Sequence, residues 1–368
     1  MSGDAAPAHV DVLVIGAGPY GLAAAKAARD RGLATAIVGT PMAFWREHMP
    51  AGMFLRSGPD WHLDHAGELT LERHLRERGE TPDPLPLRHF LDYADWFTRA
   101  AGLEIRDDHV TALRPGFSAT LASGATIQAR RVVAAPGSAH FAHLPEWAPA
   151  DAVHTCELIE FGDYAGADVA IVGGRQSAYE WAALLAEHGA RRVDVVHRHP
   201  TPRFAPVSWR FVDPHVDSTL ATPNWWRTLP QAERDAIGRR FWEVGRLTLE
   251  PWLEPRLDGV VSHPHTTVES PARLSDGTAL ASGTRFVFAT GYRADVERVP
   301  YLRGLGIATR NGFPDLDHAM ASTSHPGLHL PGFTATQDFG PFFGFVKGAP
   351  AAATLIARAL ETALARAL

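Results

Sequence analysis

The chain reads as an α/β protein with two three-layer units, and three observations carry that reading. A strand, a glycine turn, a helix and a second strand follow one another from Val10 to Val38. The same succession returns from Asp168 to His197. Two further apolar strands, Arg131–Ala135 and Arg285–Ala289, each run into a glycine turn, at Gly137 and Gly291. Repetition of a βαβ unit at so long an interval marks two sheets rather than a short-period array.

In the first unit, Val10 to Ile15 is the short apolar run of a strand buried on both faces. Gly16, Gly18 and Gly21 follow in the G-x-G-x-x-G spacing, and Tyr20 to Arg31 is an Ala-rich helix closed by Gly32. Gly16 makes the tight turn, Gly18 lets backbone approach a pyrophosphate, and Gly21 lets helix and strand pack closely. The helix start, with Pro19 and Tyr20 in its first turn, offers free N–H groups and a partial positive charge to phosphates. The pattern predicts a dinucleotide site, against the alternative of a bare strand–turn–helix.

Composition narrows the function. The 368 residues suffice for two cores, and 45% hydrophobic with 21% charged residues is ordinary for a globular protein. A net charge of −6 without a basic run argues against nucleic acid. No apolar run reaches membrane-spanning length and residues 1–9 lack a signal-peptide core, so a cytoplasmic protein with no membrane partner is expected. Cys156 is the one cysteine, which leaves no redox pair. Lys26 and Lys347 are the only lysines, so Schiff-base chemistry is not expected. No histidine pair has metal-ligand spacing beside a carboxylate; His62, Asp64 and His65 read as loop polar groups, and no metal is expected.

Residues 1–9 are expected to be a tail. The stretch from Gly39 to Glu68 is a long loop rich in Pro, Gly, Trp and Met, of the kind that carries function or packs over something. Helices are expected at Leu69–Arg78 and Leu87–Ala100, then strands from Leu103 to Ala135. In the second unit the strand Asp168–Val172 meets a turn at Gly173-Gly174-Arg175-Gln176-Ser177-Ala178, followed by a helix to Glu187. The returning strand ends at His197-Arg198-His199. Between about 203 and 256 the βα rhythm is interrupted by an insertion with Trp209, Trp225, Trp226, Trp242 and Trp252, in which an amphipathic helix is expected from Pro230 to about Gly245. The chain closes with Asp338–Phe345 and an Ala-rich helix.

The order of these motifs (Gly16 to Gly21, Ala135-Pro136-Gly137, Gly173 to Ala178, Ala289-Thr290-Gly291-Tyr292) resembles the flavoproteins with two dinucleotide-binding domains. It is most like the class B flavin-dependent monooxygenases, which include Baeyer–Villiger and N-hydroxylating enzymes. The resemblance implies two Rossmann-like domains, with FAD on the first and NADPH on the second. The nucleotide domain would be inserted into the FAD domain, giving 10–150 with 290–368 for FAD and 151–289 for the nucleotide. It also implies cofactor contacts from Thr40, Trp45, Met53, Val110, Ala135, Gly137, Asp338 and Phe345 toward the flavin. Toward the nucleotide it implies Gly173, Gly174, Gln176, Ser177, Arg198, His199 and Gly291.

Three features depart from that pattern. Gly39-Thr40 stands where relatives carry an acidic residue for the adenosine ribose, so Thr40, backbone or water must serve. Arg175 replaces the second glycine of the nucleotide turn, where it can obstruct the pyrophosphate or grip it. The Phe-x-Gly…His signature of the monooxygenases is only echoed, by Val153-His154-Thr155.

The missing cysteine pair argues against disulfide reduction. What remains is NADPH-driven monooxygenation of a small or mid-sized organic substrate with O2, through a flavin C4a-(hydro)peroxide, with the insertion as a lid or as ordinary core. A flavin oxidase or dehydrogenase with a degenerate nicotinamide site, and a non-enzymatic flavin-binding protein, are the alternatives. Arg56 and Asp338 are the candidate catalytic residues, Lys347 a candidate for offsetting charge on a reduced flavin, and a homodimer is allowed.

Overall fold

The structure, a computed structural model, describes residues 8–365. Most of the expected tail therefore lies outside the described residues. Its last two positions belong to β1 (Ala8–Ile15), which starts ahead of Val10 because Ala8 pairs with Ile127. β1 is followed by α1 (Pro19–Arg29), β2 (Thr35–Val38), α2 (Leu71–Glu77) and α3 (Leu87–Ala100). α2 is shorter than expected because Thr70 caps it, its hydroxyl accepting from the Arg73 amide at 3.1 Å. Then come β3 (Ile105–Arg106), β4 (Val110–Arg114), β5 (Ser118–Leu121) and β6 (Thr126–Ala134). They form a sheet in the order β3-β2-β1-β6-β5-β4. β1 is parallel to both β2 and β6, and Val12, Leu13 and Val14 are fully buried, as a strand covered on both faces must be.

The second sheet takes β7 (Val153–His154), β8 (Asp168–Val172), β9 (Arg192–Val196), β10 (Val260–His263) and β11 (Arg285–Phe288). Its order is β10-β9-β8-β11-β7, with every pairing parallel. α4 (Gln176–Glu187) joins β8 to β9. The chain then returns to the first sheet through β12 (Leu328–His329), which pairs with Val132 and Val133 of β6. Within the insertion lie α5 (Asp213–Ala221) and α6 (Gln231–Arg240), and the chain closes with α7 (Ala349–Ala365). α7 packs on α1 through Ala23, Ala27, Ala349, Ala353 and Ala357, small residues that let two helices approach closely.

The insertion helix departs from expectation. α6 buries none of its residues and passes at Phe241 into a π turn that runs to Arg246. The apolar spacing that suggested one amphipathic helix belongs instead to the π turn, where Phe241 and Gly245 are buried.

The loop between β2 and α2 is held by a buried carboxylate. Asp64 accepts from the amides of Ala66, Glu68 and Leu69 at 2.8–3.1 Å and pairs with Lys26 at 3.1 Å. Burial would raise its pKa, but these amides and the Lys26 ammonium outweigh it and hold the carboxyl below its ordinary value. His65 lies 2.7 Å from Asp30, and no group of three or more His, Cys, Asp or Glu that could hold a metal ion is found among the described residues. Asp64→Asn should cost about 2 kcal/mol in urea denaturation, less than breaking an isolated buried pair, because Lys26 keeps Asp30 at 2.6 Å.

Candidate functional site

The two glycine turns are built alike. A Cβ on Gly16 would collide with the Ala135 carbonyl, and one on Gly173 with the Ala289 carbonyl. Each turn is thus pressed against the segment that leaves the neighbouring strand, which lets side-chain-free backbone face outward. Gly21 presses against the Gly16 carbonyl, so α1 sits close to the turn. At Gly18, by contrast, a Cβ would meet nothing within 4 Å. The first turn of α1 has no side-chain cap and no acidic residue. Its amides are therefore open toward an anion.

Beside this cradle, β2 ends at Gly39-Thr40. The Thr40 hydroxyl donates to Asp107 at 2.8 Å, and Asp107 follows β3, which pairs with Ile37 and Val38. A carboxylate thus stands at the end of β2 after all, supplied by the next strand. Sequence inspection missed it because the β2–β3 pairing is tertiary; the available signal was the Asp107-Asp108 pair ahead of β4. Val110 opens β4 just beyond, and Gly137 has φ +72° with open space around it.

In the second turn Gly174 abuts His197, which ends the β9 segment, and Arg175 takes the N-cap place of α4. His197 is bonded to Tyr179 and Ser262, each at 3.0 Å, and burial pushes its pKa down to about 4, so it stays neutral at physiological pH. Arg198 is exposed, and His199 stacks on His197 at 4.6 Å. Ser177 is exposed on the first turn of α4. Gln176 is not free: it accepts from the Glu250 amide at 3.1 Å and donates to Glu180 at 3.1 Å.

The strand-end segments of the two units meet around Tyr292, which follows Gly291. Its ring lies 6.4 Å from Phe44, 6.3 Å from Phe333 and 5.3 Å from His154. Phe44, rather than Trp45, faces this junction, since Trp45 lies 4.7 Å from Phe90 of α3. Met53 is buried, and its carbonyl accepts from the Leu87 amide.

Both candidate catalytic residues have structural partners. The Arg56 guanidinium donates to Glu250 (3.2 Å), the Gly245 carbonyl (2.6 Å) and the Thr248 carbonyl (2.8 Å). Asp338 is buried and accepts from Arg310 (2.7 Å) and the Leu316 amide (3.0 Å). With their polar atoms so occupied, they hold segments in place rather than offer a free acid or base. Lys347 pairs with Asp213 at 2.8 Å, which ties α5 to the approach of α7.

The tryptophans of the insertion divide. Trp209 and Trp226 are buried, and Trp209 lies 6.0 Å from both Trp61 and Phe345. Trp252 packs on Phe54 at 5.0 Å and Trp225 on His215 at 5.6 Å. Trp209, Trp252 and Trp226, the last 5.9 Å from Phe342, bind the insertion to the rest of the chain, whereas Trp225 stacks on His215 within it. Trp242, on the π turn, is 39% exposed.

A mixed sheet whose central pairings are parallel and a second sheet that is parallel throughout, each with a glycine turn at an uncapped helix start, have the architecture of a protein with two dinucleotide-binding units. Residues 13–222 match the family described as pyridine nucleotide-disulphide oxidoreductase, and the chain belongs to that family. The FAD-dependent urate hydroxylase of Xanthomonas campestris pv. campestris is 28% identical over 166 residues, 41% of this chain and 34% of that protein. A ferredoxin–NADP reductase of Saccharopolyspora erythraea is 30% identical over 199 residues, 52% of this chain and 55% of that one. The chain thus spans a third to about half of the length of these relatives. Among solved structures, the ornithine N-hydroxylase of Kutzneria sp. 744 has a TM-score of 0.80 at 18% identity, with 97% of this chain and 100% of that chain covered. The likeness is one of fold, and it is the fold expected from the order of the motifs.

Glu180, on α4 behind the second turn, is a buried carboxylate that neither motif nor periodicity singled out. Burial pushes its pKa up to about 7 from 4.5, against the opposing pull of Gln176, Arg56 and Arg256. The native state therefore keeps a proton that the unfolded chain gives up. That contribution is complete below about pH 4.5 and is lost as the pH rises through 7. Glu180→Gln should match the wild type in urea denaturation at pH 4.5 and exceed it at pH 8, by on the order of 2 kcal/mol. Equal stability at pH 8 would show that Glu180 ionises at no cost.

Proposed function

We propose that the chain is an FAD-dependent, NADPH-driven monooxygenase of a small or mid-sized organic substrate. The observation that carries this is the pairing of two equivalent turns whose strand-end segments meet around Tyr292. One turn is open and lined by backbone; the other carries cationic side chains. The likeness to an FAD-dependent urate hydroxylase, and in fold to an ornithine N-hydroxylase with FAD and NADP+, supports it. No helix among the described residues is long and apolar enough to cross a membrane, in keeping with action in the cytoplasm.

The first unit, 10–150 with 290–368, fits FAD. Gly16, Gly18, Gly21 and the amides of the first turn of α1 would hold its pyrophosphate, with Tyr20 locking that turn to the Phe343 and Phe345 carbonyls. Thr40 and Asp107 would hold the adenosine ribose, flanked by Val110, Ala135 and Gly137. The second unit, 151–289, would hold NADPH through Gly173, Gly174, Ser177, Arg198 and His199, with Gly291 joining from the returning segment at the junction. When bound, FAD supplies hydride acceptance from NADPH and electron transfer to O2. The chain's own part is to orient both cofactors and to keep water out with Phe44, Tyr292, Phe333 and the insertion.

A second reading, a reductase that passes electrons to a protein acceptor, draws on the ferredoxin–NADP reductases among the sequence relatives. Anaerobic mixing with NADPH, then with labelled oxygen and candidate substrates, separates the possibilities. Flavin bleaching by NADPH followed by label in the product is the expected result. Bleaching without label, with electrons passing to ferredoxin, selects the reductase, and bleaching by substrate alone selects the oxidase.

Two substitutions test the cofactor assignments. Gly18→Leu fills the open cradle and should yield colourless protein, as measured by the flavin-to-protein absorbance ratio. Arg198→Ala should lower the NADPH/NADH preference by roughly tenfold if its guanidinium meets the 2′-phosphate. An unchanged ratio of dissociation constants would remove Arg198 from the site.

A further inference from the structure

Arg175 occupies the position in the second turn that Gly18 occupies in the first. Each is the N-cap of its helix, with φ/ψ of −109°/−176° at Arg175 and −85°/−173° at Gly18. A Cβ at Gly18 would enter the open cradle. Arg175 therefore sends a guanidinium from the place where the first turn offers bare backbone.

That guanidinium lies 3.8 Å from the centre of the Trp242 ring. Arg246, on the same π turn as Trp242, places its own guanidinium 5.2 Å from that ring and 5.4 Å from Phe345. Among the described residues, no carboxylate pairs with either arginine. Burial, with the charges of Arg175 and Arg56, holds Arg246 down to about 10. Glu250 is already paired with Arg56 at 3.2 Å, so its carboxylate does not compensate the other two. The first turn of α4 adds to the positive field, since it has no side-chain cap and no acidic residue.

Two uncompensated guanidiniums beside an open helix start match a ligand with two adjacent negative groups. We propose that Arg175 and Arg246 clamp the diphosphate of the nicotinamide nucleotide, replacing the backbone contact that Gly18 provides in the first unit. Trp242 holds the Arg175 guanidinium beside the turn. The insertion is then part of the nucleotide site, because Trp242 and Arg246 both come from it. The inference rests on the second unit being an NADPH site. The opposite possibility, an arginine that plugs the cradle, predicts an effect of the other sign.

Calorimetric titration of the flavin-loaded protein with NADP+, ADP-ribose and adenosine 2′-monophosphate decides it. R175G restores the residue that the first turn tolerates, and R246Q keeps a polar side chain while removing the charge; retained flavin absorbance shows that either variant has folded. Both should weaken NADP+ and ADP-ribose by roughly tenfold or more, while the monophosphate, which lacks the diphosphate, changes by less than about twofold. Unchanged or tighter binding of ADP-ribose to R175G overturns the clamp while leaving the NADPH reading standing. Failure of the wild type to bind either NADP+ or ADP-ribose removes both.

Discussion

The close approach of each glycine turn to the segment leaving the neighbouring strand is the constraint on which the rest depends. Gly16 lies against the Ala135 carbonyl and Gly173 against the Ala289 carbonyl, with no room for a Cβ at either glycine. Both glycines have positive φ, +104° and +136°, where an L side chain is strained in any case. Because the turns cannot move outward, the helix starts that follow them are fixed at the ends of β1 and β8. The parallel pairings β1–β6 and β8–β11 carry the same register through to Ala134 and Phe288. Fixing these contacts determines where backbone N–H groups point, and hence where an anion is received.

The two units are joined as firmly as each is built. Arg56 reaches from the long loop to three acceptors in the insertion, and Gln176 ties the first turn of α4 to the same segment. Buried polar chains of this kind hold only when every member has a partner. Arg56, Glu250, Gln176 and Glu180 meet that condition, with the Glu180 carboxyl able to keep its proton. Aromatic packing does the rest: Trp209 and Trp252 bury large apolar areas against Trp61, Phe345 and Phe54. The insertion is therefore tied down along its length, and Trp242 is exposed at its π turn between the Arg175 and Arg246 guanidiniums.

The sequence makes the sheets, the turns and the family legible, because glycine spacing and continuous apolar runs are local signals with one structural outcome. It does not show Asp107, whose relation to Thr40 depends on the β2–β3 pairing. Nor does it show that Trp242 and Arg246 share a π turn facing Arg175, since nothing in the spacing of the insertion locates it on the second turn. Arg56 and Asp338 show a second limit of the sequence. A charged residue on a segment that approaches a cofactor looks reactive in one dimension. Once buried it must satisfy its own hydrogen-bonding groups, and here it does so with Glu250 and with Arg310.

The family takes its description from disulfide chemistry, and this chain brings a single cysteine to it. Cys156 is its one cysteine, and attack on a disulfide needs a thiolate, with a second sulfur to complete a dithiol cycle. Burial pushes the Cys156 thiol up to about 11, so it stays protonated at physiological pH. Its sulfur lies 3.0 Å from His154 Nδ1, and burial lowers the His154 pKa, so no imidazolium stabilises a thiolate there. His154 instead spends Nε2 on the Gly291 carbonyl at 3.0 Å, which steadies the turn that carries Tyr292. The pair that in outline suggests redox chemistry is thus a packing element beneath the junction of the two units. A flavin held by this chain would find no cysteine pair of the chain to receive its electrons.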